Sequence, residues 1–455
     1  MHQTTKILDL LILGTGPAAS RVASKCAETD WHIGIVDPRP YGGTCALRGC
    51  NPKKVLVRAA ELVDWVGRME NKGVRSEGAI IDWREMIAFK RTFTESVTSH
   101  NESMFEDLGI VKFHGNPRFL TPDSVDIEGQ KIQARHFVVA TGAVPTRLGI
   151  PGENYLANSD EFLEMDHLPK RLLFIGGGYV TFEFAHVAVR AGAEVSIIEN
   201  SDRPLSRFDS ELVDALVERT CELGIELRTE TEVKSIKKNS NGSLAVEVTS
   251  DGSSELLEAD LVVHGAGRVP NTDDLDLERA DVRYGPEGIE VDEYLQSVSN
   301  SSVYAAGDVA ANGEPLLSPV AREDGQTLAE NLLSPDNRRK PNYGPVATVV
   351  FSVPALASVG LDEERARRAG LRFSVNTGDR SLDHSMQKVG EQHARYKVLV
   401  EEESDRVLGA QLLGPDAAET INLFALAIKH RISARELRSM LFASPTFIDD
   451  VRFMV

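Results

Sequence analysis

No stretch of the 455-residue sequence approaches the about 20 consecutive apolar residues that a membrane helix needs. The N-terminal apolar run in MHQTTKILDLLILGTG is short, contains Asp9 and flows straight into glycines, so it reads as a first strand and not as a signal peptide. A basic cluster is also missing. The net charge is -19, which opposes a nucleic-acid partner because phosphates need a basic face. Cysteines are few, four in all, and no Cys or His cluster has zinc-like spacing, so no metal is expected. These absences point to a cytoplasmic protein without membrane association. Cys26 and Cys221 fall in amphipathic helical patterns, where a small buried thiol is unremarkable. Cys45 and Cys50 lie close together, and in a reducing cytosol such a pair is more often redox-active or metal-binding than structural.

The apolar fraction, 42%, is ordinary, and the length favours two or three domains over one core. Residues 8–13 (LDLLIL) are apolar and lead into Gly14, Gly16 and Ala19, the helix-like ASRVASKCAE, and a second strand HIGIVD ending at Asp37. This is the G-x-G-x-x-A form of the βαβ dinucleotide fingerprint. Its glycines let backbone amides approach a pyrophosphate at a helix N-terminus, and Asp37 can accept a ribose hydroxyl. A second copy runs from LLFIG (172–176) through GGGYVTFEFAHVAVRAG to EVSIIE, ending at Glu199. Its glycines are Gly176 and Gly178, and Thr181 holds the third position, where it should push helix and strand slightly apart. Two such units imply two dinucleotides.

The segment GGTCALRGCNPKK places the close cysteines five positions apart. On an ideal helix they would lie roughly 140° apart, which is poor geometry for a disulfide, so a bond requires a distorted first turn. Gly42, Gly43 and Gly49 are the places where such distortion is tolerated. A strand ending in Ala140, Thr141 and Gly142 is followed by a Pro-rich crossover, and later come VVHGAGRVPNT and SSVYAAGDVA.

With these motifs in this order, the whole chain resembles the pyridine nucleotide-disulfide oxidoreductases, the family of glutathione reductase and dihydrolipoamide dehydrogenase. The resemblance implies an α/β fold with two Rossmann-like dinucleotide-binding domains and a C-terminal α+β dimerisation domain. FAD would occupy a discontinuous domain, 1–150 and 272–342, NAD(P)H the domain 151–271, and residues 343–455 would form the interface of a homodimer. ARYKVLVEEE, RVLGAQLLG and the helix ETINLFALAIKH suit that last domain.

By the same resemblance Cys45 and Cys50 form a redox-active disulfide, Cys50 nearer the flavin and Cys45 attacking the acceptor. A helix N-terminus favours the thiolate. Lys53 and Glu183 pair beside the flavin's redox edge, and Tyr179 covers the flavin until nicotinamide displaces it. Asp308 contacts the ribityl chain. Ser318, read as an N-cap before Pro319, opens a helix whose first turn faces the flavin, making Leu317, Ser318, Val320 and Ala321 cofactor contacts. Pro17, Ala18, Gly43, Thr44, Lys54, Gly115, Gly267, Arg268 and Gly307 are further cofactor positions. Glu199 would repel a 2′-phosphate and is followed by Asn200 and not the arginine of NADPH-using members, which favours NADH although Arg203 and Arg207 lie nearby.

The chain also departs from the pattern. FASPTFIDD puts Ser444 where the family's disulfide reductases carry an acid-base histidine, and Asp449 where they carry its glutamate. Serine cannot donate a proton near neutral pH as imidazole does. An acceptor with an acidic leaving thiol, such as a persulfide or aromatic disulfide, needs no such donor; otherwise Asp449, His384 or water substitutes. Ser24 and Gln326 replace the arginines with which glutathione reductases hold their peptide, so glutathione disulfide is disfavoured. The C-terminal RFMV lacks a cysteine pair, which argues against mercuric reductase and the large thioredoxin reductases. The expected activity is therefore FAD-dependent NAD(P)H:disulfide oxidoreduction. The alternatives are a flavoenzyme acting on a quinone, oxygen, a metal ion or a second nicotinamide, or a slow redox sensor. The polar segment NTGDRSLDHSMQKVGEQHARYK reads as an exposed loop, or else as a lining of the interface cleft.

Overall fold

The computed structural model describes residues 7–76 and 78–455. In chain order the elements that bear on function are strand β1 (Leu8–Leu13), helix α1 (Pro17–Cys26), strand β2 (Ile33–Asp37), helices α2 (Gly43–Leu47) and α3 (Cys50–Met69), strand β3 (Arg171–Ile175), helix α4 (Tyr179–Arg190), strand β4 (Glu194–Ile198) and helix α5 (Ser318–Leu333). The chain gathers into two compact units.

The first unit takes residues up to Lys53, Phe89–Thr146 and Gly267–Tyr343. β1 pairs in parallel with β2, Leu10 opposite Ile33, and with Gln130–Val139, Leu8 opposite Ala134. Val303–Ala305 and Val111–His114 extend the parallel arrangement. A strand covered on both faces needs apolar residues at successive positions, and β1 supplies them. On one face Leu10 and Ile12 meet Ala19, Val22 and Ala23 of α1 and Leu328 and Ala329 of α5. The two helices touch closely, since a Cβ on Gly325 would lie 2.5 Å from the Ala18 carbonyl oxygen. Leu11, Leu13 and Val36 pack on the other face with Phe119 and Phe137. Cys26 is part of this core, and burial pushes its thiol up to about 12, which makes it unreactive.

The second unit takes Lys54–Ala88, Arg147–Ala266 and Gly344–Val455. Here β3 and β4 pair in parallel, Leu172 opposite Val195, flanked by Glu226–Arg228 on one side and Leu261–His264, then Leu156–Ala157, on the other. The same unit contains a five-stranded antiparallel sheet in the order Thr348–Val350, Ala355–Gly360, Val407–Gly414, Arg395–Glu401, Phe373–Asp379. Helix Ala417–Lys429 covers it, burying Ile421, Phe424 and Ala427 against Ala357 and Leu412. No described helix is long and apolar enough to cross a membrane.

Three sequence expectations need correction. The segment 376–397 is not an exposed loop. It begins within the edge strand Phe373–Asp379 and ends within Arg395–Glu401, and between them Arg380, 1% exposed, meets both Asp416 oxygens at 3.2 Å and Asp450 at 2.9 Å. A buried guanidinium matched by carboxylates looks, in sequence, like a solvated face. Cys221 is exposed near the end of helix Ser210–Glu222 and not buried. Thr181 does not hold α4 away from the sheet. Gly265 makes room for it, because a Cβ at 265 would collide with the Thr181 hydroxyl.

Replacing Gly265 with Ala should therefore overpack this contact and lower stability by about 1–3 kcal/mol, with Thr181→Ala in the same chain restoring most of the loss. Thermal unfolding of the parent, Gly265→Ala and the double variant checks this. Equal midpoints for the first two contradict the compensation.

Candidate active site

Helix α2 lasts only five residues, and Arg48, at φ -139° and ψ 18°, ends it before α3 begins at Cys50. The cysteines therefore sit on two helices, and the break at Arg48 and Gly49 resets their phase. This replaces the expected single helix with a distorted first turn. Gly42 and Gly43 do adopt positive φ, 135° and 68°, whereas Gly49 does not. A Cβ on Gly43 would lie 2.5 Å from the Gly16 Cα, so the start of α2 is pressed against the first fingerprint loop.

Both cysteines are free thiols here. The Cys50 Sγ lies 3.5 Å from the Ser318 Oγ. The neighbouring Cys45 thiol, followed by Ser318 and the charge of Lys53, holds Cys50 down to about 5 against the effect of burial. Cys50 and burial push Cys45 up, while Ser318 and the Arg322 guanidinium pull the other way. These opposed shifts favour the proton on Cys45 and the negative charge on Cys50.

Leu317, extended at φ -129° and ψ 143°, is the N-cap of α5, and Ser318 and Pro319 open the helix. Ser318 was expected as the cap; its hydroxyl faces the cysteines instead. Val320 and Ala321 point into the core. Asp308 stands in the turn after Gly307, where burial raises its carboxyl, Arg268 opposes the rise and Cys50 adds to it. Arg268 donates to the Ala143 carbonyl, and the Thr141 hydroxyl donates to the Asn271 carbonyl at 2.8 Å. Sequence reading missed Asp324. It is fully buried on α5 and accepts bonds from the Gly307 amide at 2.8 Å, Asn312 at 2.9 Å and the Tyr343 hydroxyl at 2.6 Å, which fixes the Gly307–Asp308 turn. An aspartate on the helix face shared with Val320, Ala321, Thr327 and Leu328 was the available signal.

Gly14, at φ 111°, takes a conformation only glycine favours, and a Cβ there would collide with the Ala140 carbonyl. A Cβ on Gly16 would meet nothing within 4 Å, so the loop is open beside the amides that start α1. Asp37 closes the loop from behind, accepting from the Thr15 amide at 3.1 Å and hydroxyl at 2.7 Å. The second copy repeats the device. Gly176 has φ 97°, and Glu199 accepts from the Gly177 amide and, at 2.8 Å, the Ser201 amide. A carboxylate-braced, glycine-opened loop at a helix start fits a dinucleotide pyrophosphate. Gly115 also has positive φ, 140°, beside the end of β2, and Ala18 lies in the core between α1 and α5. Thr44 and Leu317 are half-buried next to Cys45 and Ser318 in sequence.

Other expected residues fall in the second unit. Tyr179 is 45% exposed at the first turn of α4. Glu183 is fully buried and accepts the Phe351 amide at 2.9 Å, and the Lys54 ammonium lies over the Phe351 ring. Ser444 is exposed, and Asp449 is buried and paired with Arg452 at 3.1 Å. Gly142 and Gly267 take positive φ in the first unit, and Gly178 precedes α4 with an open Cβ position.

The charge distribution gives a prediction. In the dithiol protein, alkylation of Cys50 by iodoacetamide should remain fast as pH falls and be lost only near pH 5. Cys45→Ala should move that midpoint up more than Ser318→Ala, because the Cys45 thiol is the larger cause. Mass spectrometry of the labelled peptide across pH checks it; a midpoint near an ordinary thiol contradicts it.

Residues 8–325 match the pyridine nucleotide-disulphide oxidoreductase family and residues 346–454 its dimerisation domain. A glutathione reductase of Burkholderia cepacia is 31% identical over 443 residues, covering 97% of each chain. A mercuric reductase of Staphylococcus aureus is 31% identical over 94% of this chain and 78% of its own. A dihydrolipoyl dehydrogenase of Haloferax volcanii is 29% identical over 97% and 94%. Among solved structures, the HOCl-induced flavoprotein disulfide reductase RclA from Escherichia coli superposes with a TM-score of 0.86 at 25% identity, over 98% of this chain and 99% of that one. The chain belongs to the pyridine nucleotide-disulphide oxidoreductases, flavoprotein oxidoreductases that use FAD and NAD(P)H.

Proposed function

We propose that the protein is a cytoplasmic homodimer that passes electrons from NADH, through FAD and the Cys45–Cys50 pair, to a disulfide or persulfide other than glutathione disulfide. The observation that carries the reading is the placement of Cys45 and Cys50 on either side of the α2–α3 break, with the Cys50 Sγ 3.5 Å from the Ser318 Oγ. The division into an FAD domain (1–150 and 272–342), an NAD(P)H domain (151–271) and an interface domain (343–455) is part of this proposal, supported by the two braced loops and the match of 346–454 to a dimerisation domain.

FAD supplies a two-electron carrier between the nicotinamide and the cysteine pair. Gly14, Gly16, Pro17, Asp37, Thr141, Arg268, Asp308 and the start of α5 would hold it; Gly176, Gly178, Tyr179 and Glu199 would hold the nicotinamide nucleotide. Lys53 and the buried Glu183 are further proposed catalytic residues. Glu199, fixed by the Gly177 and Ser201 amides, keeps a negative charge where a 2′-phosphate would fall, which supports NADH.

The acceptor reaction uses thiol exchange. As the Cys45 sulfur attacks one sulfur of R–S–S–R, its proton passes to the Cys50 thiolate, the acceptor's S–S bond breaks and one R–S⁻ leaves. Cys50 returns that proton to the first leaving group, then displaces the second thiolate from Cys45, forming the enzyme disulfide. The enzyme loses two electrons and the acceptor gains them. Cys50 thereby acts as the base that an imidazole would otherwise supply. The second leaving group finds no such acid: Ser444 cannot provide one, and Asp449 is engaged by Arg452. The acceptor's leaving thiols must therefore have a low pKa. A second reading, reduction of a quinone, oxygen, a metal ion or a second nicotinamide, draws on the same missing imidazole and on relatives named mercuric reductase.

With NADH as donor, an aromatic disulfide should be reduced at least about 10²-fold faster than an alkyl disulfide of equal charge, and Cys45→Ser should abolish both activities while retaining FAD. Steady-state rates with matched pairs check this; equal rates, or an unaffected variant, support the second reading instead. Glu199→Gln, which removes the charge and keeps one of the two acceptor oxygens, should narrow the preference for NADH over NADPH by about tenfold. Comparison of kcat/KM for the two nucleotides decides it, and an unchanged ratio contradicts the role of Glu199.

A further inference from the structure

A cavity of about 730 Å³ opens within the first unit and is lined by Cys45 together with Ser20, Arg21 and Ser24 of α1 and Arg322 and Gln326 of α5. The helical period explains the grouping, since positions three or four apart share a face. Taking Cys45 as the thiol that meets the acceptor, we infer that this cavity selects disulfides carrying carboxylate groups, and that Arg21 and Arg322 are the residues that bind them.

The protein leaves the positive charge of this cavity only partly compensated. The chain carries a net charge of -19, and its arginines are commonly matched by carboxylates: Arg190 and Arg219 converge on Asp64, Arg171 meets Asp260, and Arg380 meets Asp416. Arg322, among the described residues, has no carboxylate partner. Arg21 spends only its Nε, on the neutral Gln326 amide oxygen at 2.5 Å, which leaves its two terminal amino groups for a ligand. Glu323 is the one carboxylate on the cavity wall, and its Oε1 already accepts the Thr327 hydroxyl at 3.2 Å and the Asn342 amide at 3.0 Å. Two guanidinium groups against the single carboxylate of Glu323 leave a net positive field beside a reactive thiol in an otherwise acidic protein, and each guanidinium matches a carboxylate with paired N–H donors. Ser24 and Gln326, which displace the glutathione-binding arginines of the family, occupy the same wall, so positive charge has moved to new positions and has not been lost. The reaction remains balanced as R–S–S–R + NADH + H⁺ → 2 R–SH + NAD⁺, and the carboxylates of R take no part in it.

The test compares two aromatic disulfides with acidic leaving thiols, the dicarboxylate 5,5′-dithiobis(2-nitrobenzoate) and the neutral 4,4′-dithiodipyridine, each rate divided by that probe's rate with a simple thiol in solution. The parent holoenzyme should favour the dicarboxylate by at least about tenfold in this normalised kcat/KM. Arg21→Gln with Arg322→Gln should cut that ratio by about tenfold or more, chiefly through KM, with Arg322→Lys intermediate because it keeps charge without the fork. FAD content reports that each variant is folded. A ratio unchanged within about twofold in the double variant, or a parent that favours the neutral probe, overturns the inference. Cys45→Ser separates the two claims: if it still reduces both probes, Cys45 is not the thiol that meets the acceptor, and the reading beneath the inference fails independently of the ratio.

Discussion

The coupling of the Cys45 and Cys50 thiols, which holds Cys50 down and pushes Cys45 up, is the interaction on which the rest of the site depends. It exists because α2 stops at Leu47 and α3 starts at Cys50, so two residues that one straight helix would turn apart face each other. It polarises the pair, leaving charge on the cysteine near Ser318 and Lys53 and a proton on the one that lines the cavity. The local fold is arranged around this contact. Gly43 brings α2 against the Gly16 loop, and the Leu317 cap sets the Ser318 hydroxyl at the start of α5.

Around that pair, the two fingerprint loops are stiffened alike. Asp37 ends β2 and Glu199 directly follows β4, and each reaches back to the amide between the two glycines, at Thr15 and Gly177. The glycine-opened loop is thus held in shape by the protein's own carboxylate, and a nucleotide need not order it on binding. Asp324 does similar work for the Gly307–Asp308 turn.

The parallel strands and glycine loops were legible in sequence because each is a local property. A short apolar run suits a strand buried on both faces, and a glycine at its end suits a backbone turn that other residues resist. β1 and β2 begin and end within a residue of their apolar runs, and Gly14, Gly142, Gly176, Gly267 and Gly307 all take positive φ. What escaped were features made by pairs of distant residues. Gly265 accommodates Thr181, Asp416 and Asp450 neutralise Arg380, and Asp324 braces a turn remote in sequence; none has a periodic signature. Arg21 and Arg322 escaped because a charged residue on a helix reads as surface until a cavity is found beside it.

By family resemblance Ser444 stands where an acid-base imidazole is expected, and this sharpens the meaning of the cysteine pair. If Cys45 and Cys50 are the relay, they must hold electrons of their own. An anaerobic NADH titration of the holoenzyme, followed by absorbance, measures this directly. The account predicts that the parent takes up a second pair of electrons beyond the pair its flavin accepts, with a long-wavelength thiolate-to-flavin band, and that Cys45→Ser takes up only the flavin's pair. Identical uptake by parent and variant, limited to the flavin, would contradict it.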